Sequence, residues 1–203
     1  MPADLLGVLE ESRRRGFLGP SPVEDHIDRA GAFLAAHPGE PARALDLGSG
    51  GGVPGLVLAL AWPTTTFVLL DRELRRVEHL HAAIDALALG DRVRALHARA
   101  EDAGRDTTLR GAFEVVTARS FAAPAVTAEC AAPFLALEGS LLVAEPPDAP
   151  PSRWPADGLD ELGLVDVVVV SHAGATVRRL RAVRPCSERY PRRPGVPARR
   201  PLF

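Results

Sequence analysis

The 203-residue chain has no lysine; all 24 of its basic residues are arginine, set against 26 Asp and Glu. A bias of that kind follows genome composition, so no function is read from it. Cysteine is nearly absent too. Cys130 and Cys186 are too few for a disulfide framework, have no metal-ligand spacing, and are expected as reduced thiols. No apolar run approaches the length of a membrane span. The start, MPADLLGVLEESRRRG, lacks the basic-then-apolar order of a signal peptide. There are no internal repeats. The length suits one domain or one domain with appendages, and 46% hydrophobic residues suffice for a sizeable core.

What is present centres on Ala44 to Gly55, ALDLGSGGGVPG. The apolar run Ala44–Leu47 predicts a buried parallel strand. Gly48, Gly50, Gly51 and Gly52 carry no Cβ, so the backbone can turn tightly and come close to a ligand. Pro54 suits the first turn of the helix that LVLALAW continues. Strand, glycine loop and helix N-terminus together aim backbone N–H groups at a ligand. Two spacings coexist. Gly50-x-Gly52-x-x-Gly55 matches the dinucleotide fingerprint. Asp46-x-Gly48-x-Gly50-x-Gly52 resembles motif I of class I S-adenosylmethionine-dependent methyltransferases. Asp46 favours the second, because a carboxylate in the loop repels a pyrophosphate but can help hold the ammonium of a methionine moiety.

On the N-terminal side, Asp4–Arg15 reads as a short amphipathic helix. Ser21 and Glu24 suggest a capping box for a helix from Val23 to His37. His26 and His37 are read as surface or cap residues. After the loop, Phe67–Asp71 predicts a second buried strand whose terminal carboxylate, Asp71, can accept both ribose hydroxyls. The following helix, Arg72–Leu89, turns Leu74, Val77, Leu80, Ile84 and Leu87 inward and His79 and His81 toward solvent. Val93–His97 is a third strand with Ala100 and Glu101 just beyond. Phe113–Arg119 is a fourth, placing Arg119 at a strand tip where open α/β sheets bind ligands. An apolar helix, Ala123–Leu135, carries Cys130. Gly139 ends that unit, and Ser140–Glu145 forms a fifth strand before Pro146-Pro147. Residues 148–155 read as a loop. Leu164–Val170 and Val177–Val183 form a terminal antiparallel hairpin. The pattern predicts an α/β, doubly wound, mostly parallel seven-stranded sheet.

Charge is uneven. From Arg178 onward nine Arg face one acid, Glu188, a surplus of +8; the rest has 15 Arg against 25 acids, or −10. This suggests an acidic body with a basic C-terminal arm. Three segments are expected: a helical extension over 1–40, the main domain over 41–186, and an Arg/Pro-rich arm over 187–203.

LDLGSGGGVPG from Leu45, then Leu69-Leu70-Asp71 with Arg75-Arg76, then Ala118-Arg119-Ser120-Phe121 resemble the small-subunit ribosomal RNA methyltransferase G (GidB) family. The closing Tyr190-Pro191-Arg192-Arg193-Pro194-Gly195-Val196-Pro197 resembles that family's last motif. The resemblance implies S-adenosylmethionine as cofactor and methylation of a guanine N7 in 16S ribosomal RNA. It implies cofactor contacts at Gly48, Val53, Asp71, Ala100, Glu101 and Arg119, to which the loop reading adds Asp46, Gly50 and Gly52. Arg192, Arg193, Arg199 and Arg200 are the expected RNA contacts. The expected partner is ribosomal RNA or the small ribosomal subunit, met by a cytoplasmic monomer that needs neither membrane nor metal. No general base is required, because guanine N7 has an exposed lone pair.

The chain departs from the family pattern twice. Its N-terminal helical region is short and lacks an Asn-Leu-Thr segment. Its fifth strand ends in Glu145-Pro146-Pro147 where Lys-Gly is common. Two other readings therefore stay open: a methyltransferase of the same lineage acting on a small molecule or protein, and a non-catalytic nucleotide-binding protein. A dehydrogenase is weaker, since no second domain supplies hydride chemistry.

Overall fold

A computed structural model describes residues 3–146 and 148–203. Pro147, half of the expected Pro-Pro break, lies outside the described residues. The apolar runs fall into strands where expected. β1 (Arg43–Leu47), β2 (Thr66–Asp71), β3 (Val93–His97), β4 (Phe113–Ala118) and β5 (Leu135–Glu145) run parallel. β6 (Leu164–His172) and β7 (Ala175–Ala182) form the hairpin, with β7 antiparallel to β5. The order is β3-β2-β1-β4-β5-β7-β6. The doubly wound, mostly parallel sheet predicted from the sequence is thus present.

Alternation along the strands builds two cores. Ala44, Phe67, Leu69, Val115 and Leu142 face one layer, made with α1 (Ala3–Arg14), α2 (Val23–Ala36), α3 (Gly55–Ala61) and α4 (Leu74–Ala86). Leu45, Leu47, Val68, Leu70, Val116 and Leu141 face the other, with α5 (Ala100–Ala103), α6 (Pro124–Ala131) and α7 (Ala156–Glu161). A strand buried on both faces needs an apolar run such as Phe67–Leu70 of β2. The N-terminal helices belong to the first core through Leu5, Leu9, Ala30 and Phe33. The C-terminal segment carries α8 (Val196–Arg199) and joins the second core through Tyr190. Strand order reverses between β1 and β4, which leaves a crevice at the strands' carboxyl ends.

Several local expectations are corrected. Pro22, not Ser21, precedes α2, and no side chain caps that helix. Leu74 is 54% exposed, because it starts α4 ahead of the Val77–Leu80–Ile84 stripe that reaches the sheet. α6 stops at Ala131, a 3-10 turn (Ala132–Phe134) containing Pro133 follows, and Leu135 already belongs to β5. Gly139 lies inside β5, where the pairing with β4 shifts register, rather than ending a unit. Both cysteines are free; burial pushes the Cys186 thiol up to about 11 and Cys130 higher still, so both stay protonated at neutral pH.

His26 and His79 are buried, against expectation, whereas His37 does cap the end of α2. His79 sits where α1 covers α4. Its Nε2–H donates to Ser12 Oγ, and that hydroxyl donates to the Gly51 carbonyl at 2.8 Å. Burial lowers the pKa of His26, His37 and His79 below 6.5. A depressed histidine pKa means that the unfolded chain takes up the proton first. Their contribution to stability is therefore complete above pH 6.5 and is lost as pH falls through the folded-state values. Urea unfolding at pH 7, 6 and 5 is expected to show His79→Gln, which keeps a donor for Ser12, losing less stability on acidification than the parent. Parallel pH dependences would contradict this.

Candidate active site

β1 delivers its chain into the glycine loop at the crevice. Gly48 and Ser49 donate their N–H groups to the Leu70 carbonyl, which fastens the loop to β2. Gly48 has φ +72°, and a Cβ there would come within 2.7 Å of the Phe121 ring. A side chain on Gly51 would meet Leu18 at 2.7 Å, because the turn after α1 lies over the loop. The loop is therefore closed on two sides by its own chain.

Asp71 ends β2 with its side chain 2% exposed. Its Oδ2 accepts from Gly50 N at 2.9 Å and its Oδ1 from Glu73 N at 2.9 Å. Arg76 stands 3.7 Å away. Each carboxylate oxygen keeps a lone pair, so Asp71 anchors the loop and can still accept from a ligand hydroxyl. A cavity of about 290 Å³ opens beside it, walled by Gly48, Asp71, Ala100, Glu101, Phe121 and Gly195. Its wall at Gly195 is tied on: the Gly195 N–H donates to Glu101 Oε1 at 2.9 Å.

Four of the expected cofactor residues, Gly48, Asp71, Ala100 and Glu101, thus meet in one cavity, while Asp46, Gly50, Gly52, Val53 and Arg119 do not line it. The expectation that Asp46 faces an ammonium is corrected. Its side chain is turned inward, accepting from Thr117 Oγ1 at 2.6 Å and from Gly55 N at 3.2 Å. Burial pushes its pKa up to about 6, against the opposing pull of those hydrogen bonds. Gly52 and Val53 pack beneath the loop, Gly52 against Leu56. Arg119 reaches away from the cavity to α2, donating to His26 Nδ1 at 2.9 Å, while the Nε2–H of His26 faces the Gly19 carbonyl at 3.3 Å. Burial lowers the pKa of Arg119.

The basic arm is also corrected. Much of its charge is matched by acids of the body: Arg178 pairs with Glu145 and Asp166, Arg181 with Glu138, Arg184 with Asp160, and Arg189 with Glu161. Arg192 cannot serve as a free phosphate contact. It forks onto Glu129, whose side chain is fully buried, with Nε at 2.9 Å from Oε1 and Nη2 at 2.6 Å from Oε2. Arg193, Arg199 and Arg200 are exposed and make no ion pair among the described residues. Sequence reasoning missed Gly195 and Ala198 as cavity walls. The closing motif was visible, but nothing local ties it to the glycine loop.

Glu145 is neutralised as well. Arg153, Trp154 Nε1 and Arg178 all donate to its carboxylate. It lines a second cavity of about 290 Å³, which shares Ser120, Phe121 and Ala122 with the first.

Comparison with known proteins bears on the family and the fold. The family model described as rRNA small subunit methyltransferase G matches residues 24–145. A protein of that name from Parasynechococcus marenigrum is 35% identical, over 81% of this chain and 69% of its own. One from Syntrophomonas wolfei is 33% identical, over 96% of this chain and 95% of its own. The fold is shared with TrmN from Thermus thermophilus at a TM-score of 0.58 and 21% identity, over 86% of this chain, which spans about half (52%) of that one. The family match runs from α2 through β5, and relatives at 33–35% identity cover 81% and 96% of this chain: the protein belongs to the rRNA small subunit methyltransferase G (GidB) family.

Proposed function

We propose that the chain methylates N7 of a guanine in 16S ribosomal RNA, with S-adenosylmethionine bound in the cavity beside Asp71. The observation that carries this reading is the clamp in which Asp71 holds the Gly50 N–H and faces that cavity. The cavity fits such a cofactor. Its wall leaves no room for a side chain at Gly48, and its lining includes the Asp71 carboxylate and Ala100 and Glu101 of α5. Asp71 would accept from the ribose hydroxyls, Ala100 and Glu101 would hold the adenine, and Gly48 would leave room for the methionine part. Asp46, Gly50, Gly52 and Val53 shape the loop from below. Arg119, donating to His26, ties the tip of β4 to α2 outside the cavity.

When bound, the cofactor supplies a methyl group already activated on a sulfonium. Guanine N7 needs no deprotonation, so the chain's task is alignment rather than acid–base chemistry. Phe121, which walls both cavities, offers a flat apolar face beside the point of transfer. The RNA backbone meets Arg193, Arg199 and Arg200 on the turn whose Gly195 and Ala198 line the cavity. We read the protein as a cytoplasmic monomer working on the small ribosomal subunit. Among the described residues no helix is long and apolar enough to cross a membrane.

Neutralising Arg193, Arg199 and Arg200 together is expected to flatten the dependence of RNA affinity on salt by roughly 2 in log–log slope, at about 0.7 per single-strand contact. Binding of S-adenosylhomocysteine would be unchanged. An unaltered slope would remove these residues from the interface. The function itself is tested by mass-spectrometric mapping of 16S rRNA from a deletion strain. One guanine is expected to lose a methyl group; unchanged methylation would turn the assignment toward a small-molecule or protein substrate.

A further inference from the structure

The second cavity carries a charge arrangement that cofactor binding does not use. Its floor is Glu145, whose side chain is 2% exposed and held from three separate positions. Arg178 of β7 reaches it at 3.3 Å, Trp154 donates its indole N–H, and Arg153 donates from Nη1. Arg178 also pairs with Asp166, so its charge is spent. Arg153 differs. It is 31% exposed, lines the cavity, and uses only Nη1 on Glu145; no hydrogen bond from its Nε or Nη2 is found among the described residues. A buried ion pair is weak evidence for stability. This one holds a guanidinium that lines the cavity and keeps donors beyond the one spent on Glu145, and a planar fork held in that way is suited to reading an acceptor.

The neighbouring wall identifies that acceptor. Ser120, Phe121 and Ala122 border both cavities and Arg153 lines only the second, so a flat base resting against Phe121 would lie between the first cavity and Arg153. Guanine displays N7 and O6 as neighbouring acceptors, whereas adenine displays N7 beside an amino donor. A donor placed next to a reacting N7 therefore accepts guanine and repels adenine without occupying N7 itself.

We propose that Arg153 is a specificity-determining residue which donates to O6 of the target guanine, and that Glu145 is the positioning residue that holds it there. The inference rests on the reading of the first cavity as the S-adenosylmethionine site. Arg153 also restores a positive charge where Glu145 alone would place a negative one, so the acid at the end of β5 supports an RNA base instead of opposing it.

The test uses small ribosomal subunits rebuilt with rRNA in which the mapped guanine is replaced by 2-aminopurine, which keeps N7 and the 2-amino group but lacks O6. The parent enzyme is expected to lose roughly 10- to 100-fold in kcat/KM on the analogue, the worth of one good base contact. Arg153→Ala should lose about as much on guanine, then show no further loss on the analogue. Arg153→Lys should recover part of the discrimination. Glu145→Gln, which still accepts from Trp154, should blur the discrimination in the same direction. S-adenosylhomocysteine affinity of Arg153→Ala should match the parent, with circular dichroism confirming that the sheet persists although the Glu145 carboxylate loses one of its three donors. An Arg153→Ala enzyme that still separates guanine from 2-aminopurine as the parent does would overturn the proposal. Failure of the parent to bind S-adenosylhomocysteine would instead overturn the reading of the first cavity.

Discussion

Replacing Arg192 with alanine is expected to lower the unfolding free energy by about 3–5 kcal/mol, because it removes the counter-charge of a buried carboxylate and leaves it only the backbone N–H. Glu129 has no exposed side-chain surface, and the Arg192 fork together with the Arg192 N–H at 2.8 Å are its partners. The same change at exposed Arg193 should stay within about 0.5 kcal/mol. Adding Glu129→Gln to Arg192→Ala should recover much of the loss, since a neutral amide is cheaper to bury unpaired than a carboxylate. Urea denaturation of the four proteins measures these differences. If Arg192→Ala unfolds like Arg193→Ala, the ion pair does not hold the C-terminal segment in place, and the closing motif is free to act as a mobile arm.

The second large effect is on cofactor binding. Asp71→Ala is expected to weaken S-adenosylhomocysteine by at least about 100-fold, since two charge-assisted hydrogen bonds of roughly 1.5–3 kcal/mol each would disappear. The Gly50 and Glu73 N–H groups would lose their acceptor at the same time, loosening the loop. Asp71→Asn keeps one carbonyl acceptor and should lie between the two. Calorimetry reads all three affinities, with circular dichroism confirming that the sheet persists. Equal affinity in the alanine variant would mean that the ligand's ribose is not at β2.

The sheet and the glycine loop were legible because their signals are local. An apolar run bounded by glycine or an acid marks a strand that is buried on both faces, as in β1 and β2. The place of Asp71 at the end of β2 was legible for the same reason, since a strand tip is a position in sequence as much as in space. Asp46 shows the opposite case. It sits in the expected motif, but Thr117, 71 residues away on the neighbouring β4, determines where its carboxylate points. His79 looked exposed on an isolated helix and is buried only because α1 lies across α4. The surplus of +8 was a correct sum with a misleading meaning, because the acids that answer Arg178, Arg181, Arg184, Arg189 and Arg192 lie elsewhere in the chain. The helices α5, α7 and α8 have 4, 6 and 4 residues, too few turns for periodicity to register.

The most direct measurement is methyl transfer by the purified protein. Small ribosomal subunits from a deletion strain would be incubated with the protein and S-adenosylmethionine carrying a labelled methyl group, and the 16S rRNA digested and read by mass spectrometry. The account predicts label on one guanine, at N7, from the parent, and none from Asp71→Ala. Label on no nucleotide, or on a position other than a guanine N7, from a parent that binds S-adenosylhomocysteine would contradict it.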